Sequence, residues 1–128
     1  MNNLLATLAP HVLSLLRIVS GLLFLEHGTA KFLGFPALPA LPATFSMSWW
    51  GGLLELVGGL LLTLGLFSRP VAFLLSGEMA VAYWTAHAPA SPFPALNGGD
   101  AAILYCFVFL YLSFAGPGPW ALDARRRR

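Results

Sequence analysis

The chain has 128 residues, 58% of them hydrophobic and only 9% charged, and a mean hydropathy of +0.77. A soluble domain of this size needs far more polar surface to cover its core, which excludes an ordinary small soluble enzyme and leaves one small membrane domain. The net charge of +2 comes mainly from the terminal run Arg125 to Arg128, a property of the tail that excludes a nucleic-acid-binding face.

Four apolar segments follow one another. The first runs from about His11 to Phe32 and opens after Pro10, a residue suited to the first turn of a helix. Its flank lacks the Lys/Arg cluster of a cleaved signal peptide, so it reads as an uncleaved membrane helix. The others run from about Trp49 to Phe67, Pro70 to His87 and Gly98 to Ala115. Each is near the ~20 residues that a hydrocarbon core of about 30 Å requires, and the alternation of a membrane strand is absent. The expectation is an all-α single domain over residues 1–128: a four-helix transmembrane bundle with a basic tail at 124–128, multi-pass in the cell inner (plasma) membrane.

Arg125 to Arg128 follow the fourth segment, and Arg69 lies in the turn between the second and third. With four spans these places share one side, which the positive-inside rule makes cytoplasmic, so both termini are expected there. The other two loops, Gly34 to Ser48 and Ala88 to Asn97, hold no charged residue. They read as caps lying back over the bundle or as the lid of a site. Asn97 and Asp100 have the spacing of a capping box for the fourth helix.

The second segment, WWGGLLELVGGLLLTLGL, carries one carboxylate, Glu55. Winding it at about 100° per residue puts Gly51, Gly52, Gly58 and Gly59 within roughly 60° of Glu55. The acid therefore sits on the face that another helix can approach closely, where it needs a partner, a proton or a cavity. Counted inward from the expected outer ends, Glu26 lies roughly 9–12 Å deep, Glu55 roughly 9 Å and Glu78 about 13 Å. His27 falls in the same layer, with Lys31 one turn above. Arg17 is nearer the cytoplasmic side, where it can snorkel.

Three acids against one lysine and one histidine do not balance if all are ionised, so one glutamate should be protonated or hydrogen-bonded. Two readings follow: a proton-handling group, or a structural polar layer that fixes helix register. Glu26 is the outlier. On a straight helix it points opposite to Arg17, Gly21, Gly28 and Lys31, toward protein on a second side or a second subunit.

His27 and His87 could both lie toward the outer side, but nothing in their spacing demands haem, and no metal motif is present. The single Cys106 excludes an in-chain dithiol mechanism and reads as a small buried hydrophobe.

The pattern RIVSGLLFLEHGTAKFLG, then ELVGGLLLTLGLFSRPVA, then A-x-x-x-x-H ending at His87, then NGGD…GPGPWALDA resembles the DoxX family over nearly the whole chain. The resemblance singles out Arg17, Gly28, Lys31, Glu55, Gly59, Arg69, His87 and Asp100. It departs from the family at Asp100, where a glutamate is more usual, and at Glu26 and Glu78, where apolar residues are expected. It implies a four-helix inner-membrane protein working with redox partners. Some relatives are similar to a subunit of a thiosulfate:quinone oxidoreductase, and others are associated with oxidative-stress complexes.

The leading expectation is a subunit of a redox assembly that binds a quinone-like or other small apolar ligand. Glu55 would handle the proton, with His27, Lys31, Glu26, Glu78, His87 and Arg17 around the ligand. Electrons must come from a bound cofactor or a soluble or membrane redox partner, and the sequence does not decide whether the chain itself is catalytic. The alternatives are a non-catalytic scaffold or assembly factor and, less well supported, a proton-coupled transporter without a visible inverted repeat. A homodimer would account for Glu26.

Overall fold

The structure, a computed structural model, describes residues 2–126. Arg127 and Arg128 of the expected tail lie outside the described residues. Six helices are seen, with no strand among the described residues: α1 (Asn2–Leu33), α2 (Met47–Leu64), α3 (Ser68–Ala82), α4 (Pro94–Asn97), α5 (Asp100–Ala115) and α6 (Leu122–Arg126). α3 continues without a break into one π-helical turn, Tyr83–His87.

α1 starts well before the expected His11, and Pro10 lies inside it. Leu4, Leu5, Ala6, Leu8 and Ala9 are good helix formers, and together they carry the helix through the one hydrogen bond that the proline removes. α2 starts two residues before the expected Trp49, because Ser46 caps it and accepts from the Trp49 N–H at 3.2 Å. It stops at Gly65, in the left-handed region at φ 70°. There Leu66 donates to Leu61 O at 2.9 Å and Gly65 to Leu62 O at 3.1 Å, the crossed bonds of a Schellman ending.

The expected capping box on the last long helix does not form. Gly99 is the N-cap of α5, and the Asn97 side chain instead accepts from the Gly99 N–H at 2.8 Å. Asp100 is the first helical residue and is exposed, where its charge still favours the helix N-terminus.

α1 packs along α2, α3 packs along α5, and α2 joins the pairs through α3. Glycines make the first seam. A Cβ at Gly59 would come within 2.5 Å of the Leu25 backbone nitrogen, and one at Gly28 would run into the Leu56 backbone. The second seam is filled by side chains. Phe24, Leu62, Ala72, Leu75, Met79, Ala102, Phe109 and Leu112 form one core, with Phe24 edge-on to Phe109 at 4.7 Å. α1 and α2 are long and apolar enough to cross a membrane, and α5 is a shorter apolar helix.

Candidate functional site

α2 presents its small residues in two strips. Gly52 and Gly59 face α1, with Gly52 under the Lys31 and Phe32 side chains, while Gly51 and Gly58 face α3 at Glu78 and Leu75. Glu55 lies between the strips and is buried, with the side chain 7% exposed. It therefore reaches both neighbouring helices, as the 100° winding of the sequence predicts.

What it meets from α1 is Lys31. The ammonium lies 2.8 Å from Glu55 Oε2 and 3.1 Å from Oε1, straddling the carboxylate. From α3 comes Glu78, within electrostatic reach of both charges. Glu78 Oε1 would be 3.1 Å from a Cβ at Gly51, and its buried Oε2 has no hydrogen-bond partner. The result is one Lys31–Glu55 ion pair with a second carboxyl, Glu78, near it on the third helix and making no ion pair of its own among the described residues. A buried oxygen without a donor is costly, so such a position calls for a proton, a water or a ligand. The aromatic cluster of Phe32, Phe45, Trp49 and Trp50, with neighbouring ring centroids 4.8–6.0 Å apart, covers the same end of α1 and α2.

The remaining residues singled out from the sequence lie elsewhere. Glu26 and His27 are exposed on α1, away from Glu55. His27 Nδ1 lies 2.8 Å from Leu23 O; since a carbonyl only accepts, Nδ1 carries the proton there. His87 sits in the π-turn, with Nδ1 3.0 Å from Asn97 O and its ring stacked on Tyr83. Asn97 binds Ser91 O at 2.9 Å as well, so this group pins the loop between the π-turn and α5.

Arg17 does not snorkel. It is fully buried, donating to Pro117 O at 3.1 Å and Trp120 O at 2.5 Å. The expected path to water is closed because the segment after α5 folds back over it. The same segment carries a residue that the sequence reading missed. Asp123 accepts from Phe67 N at 3.0 Å and Ser68 N at 2.8 Å, capping α3 from 55 residues away. Burial alone would raise its carboxyl, but the Ser68 and Phe67 N–H groups and the Arg126 charge outweigh that and hold it below the ordinary value. Arg69 in turn donates to Ser113 O at 3.1 Å and to Phe114 O, closing the C-terminus of α5. The only advance signal for these contacts was the lone carboxylate, Asp123, in the otherwise apolar GPGPWALDA.

The DoxX family model matches residues 12–88, from about three turns into α1 to just past the π-turn, and so includes Lys31, Glu55 and Glu78. An uncharacterized protein of Haemophilus influenzae is 46% identical over 129 residues, covering 96% of each chain. No solved structure matches the chain. With its apolar helices and this family match over more than half its length, the chain belongs to the DoxX family of membrane proteins.

Proposed function

We propose that this protein is a small multi-pass subunit of a redox-associated complex in the cell inner membrane, with Lys31, Glu55 and Glu78 as its working group. In this reading α1, α2, α3 with its π-turn, and α5 cross the bilayer as a four-helix bundle with both termini cytoplasmic. The lengths support it: α3 and its π-turn together make 20 residues, about 30 Å of helix. Charge supports it too, since Arg69 and the arginines of α6 gather at one end while the loop from Gly34 to Ser46 at the other has none.

The observation that carries the reading is the pair of buried Glu55 with half-buried Lys31, and an unpartnered Glu78 oxygen near it. Two carboxyls against one ammonium are neutral when one of them holds a proton. Lys31 can donate to a carbonyl oxygen of a small ligand, and Glu78 can accept from a hydroxyl or return a proton to it. Glu55 fixes the lysine between them. A quinone-type ring fits this donor and acceptor set and would supply the electron exchange that no residue of the chain provides. The electrons would then come from a partner protein.

The test is titration of a short-chain ubiquinone analogue against the protein in lipid nanodiscs, followed by quenching of Trp49 and Trp50. Glu55→Gln removes the carboxylate that positions Lys31 and should weaken binding about ten-fold, on the order of one charge-assisted hydrogen bond from the lysine to the ligand. Unchanged affinity in that variant contradicts the reading.

A scaffold function is the second reading, favoured by one observation: the Lys31–Glu55 pair is complete within the chain and seated on Gly52, as a register-fixing pair would be. Under it, Glu55→Gln lowers stability and alters no bound molecule.

A further inference from the structure

Within the apolar helices, most ionisable side chains are accounted for by the contacts above: Arg17 on backbone carbonyls, Lys31 on Glu55, Glu78 beside them. Glu26 is different. It is exposed on the face of α1 turned away from α2, and its carboxyl makes no hydrogen bond or ion pair among the described residues, with the Tyr105 hydroxyl of α5 only within electrostatic reach. Seven residues before the end of the helix, it lies about 10 Å inside it at 1.5 Å per residue. On the bilayer reading, on which this inference rests, the carboxyl would face hydrocarbon.

The surroundings of Glu26 repeat. Leu8, Val12, Leu15, Val19, Leu22 and Glu26 are all exposed and succeed one another at alternating steps of four and three residues. This is a heptad seam with valine and Glu26 at one core position and leucine at the other. β-branched residues at the first position and leucine at the second favour two parallel strands, and one polar residue in the first fixes their register. Two copies inserted with the same topology present α1 in parallel.

We propose that this face is a homodimer interface in which α1 of one copy packs along α1 of a second, in register, with the two Glu26 side chains meeting at the two-fold axis. The pairing is complementary in itself. One carboxyl, protonated, donates to the other as carboxylate, and lipid offers no such partner. His27 flanks the seam on each copy. With its Nδ1–H held by Leu23 O, its Nε2 is left as an acceptor beside the seam. Heptad packing and an interhelical hydrogen bond are also the forces that associate helices in lipid, where apolar burial offers none.

The test is single-cysteine cross-linking in native membranes, in a Cys106→Ser background. Val12→Cys, Leu15→Cys, Val19→Cys and Leu22→Cys should each give an oxidised dimer. Leu60→Cys and Phe107→Cys, equally exposed but on other helices, should give at least ten-fold less. Adding Glu26→Ala to Leu22→Cys should cut the cross-link several-fold, while Glu26→Gln, still able to hydrogen-bond, should keep most of it. Equal yields at seam and control positions, or cross-links to a different protein, overturn the proposal. Free reaction of all four α1 cysteines with a membrane-impermeant maleimide would instead refute the bilayer reading, and the dimer with it.

Discussion

At the end where α2 turns into α3, Arg17, Arg69 and Asp123 all meet backbone: two guanidiniums on carbonyl oxygens and one carboxylate on the N–H groups opening α3. At the opposite end Lys31 pairs with Glu55, and Glu78 lies near them with a buried oxygen that has no donor. The chain is almost free of charge, yet it places charged groups in both regions. In the first, each charge completes a helix end or a loop that would otherwise hold unsatisfied peptide groups, although the buried Arg17 Nε has no partner of its own. In the second, Lys31 lies in the last turn of α1, but Glu55 and Glu78 lie within their helices and cap neither end. The difference separates charges that bind peptide groups from charges set near one another.

The largest expected effect comes from breaking the second region by halves. Lys31→Met leaves Glu55 buried without its counter-charge and should cost about 3–5 kcal/mol. The double variant Lys31→Met/Glu55→Leu should recover most of that loss in a detergent-unfolding or thermal-shift series. If the double variant is as unstable as the single one, the pair is not what the lysine serves. Next comes Arg17→Ala, which empties a buried site and orphans the Pro117 and Trp120 carbonyls. A loss of about 2–4 kcal/mol is expected, with quinone-analogue affinity unchanged in the fraction that remains folded. Altered affinity there would erase the contrast between the two regions.

The smallest effect sharpens the contrast through pH. The Asp123 carboxyl is depressed in the folded protein, so its contribution is complete above the unfolded value and fades as pH falls through the folded one. Wild type should therefore lose, below about pH 4, stability that Asp123→Asn lacks at every pH; the gap at neutral pH should be about 1 kcal/mol. Parallel stability–pH curves for the two proteins would contradict the cap.

The second region was largely legible in the sequence, and the first was not, for a physical reason. The position of Glu55 follows from local periodicity: glycines three and four residues away must share its face, and the face with least side-chain bulk is the one that packs. The outward direction of Glu26 follows from the same winding. Arg17 was misplaced because snorkelling assumes open water at the helix flank, and whether that flank is open depends on a segment 100 residues away. The Asp123 cap is non-local in the same way, and the π-turn that carries His87 leaves no periodic signature in five residues. Pro10 misled as a start signal because the strong helix formers before it outweigh one missing hydrogen bond.

The most direct measurement is native mass spectrometry of wild type and Glu55→Gln, gently solubilised side by side from the protein's own host. A quinone-sized adduct or a redox partner on wild type, lost in the variant, is the result expected if Lys31, Glu55 and Glu78 form a working site. Lipid alone on both proteins, with only the stability of the variant changed, would contradict it and leave the three charges a structural role.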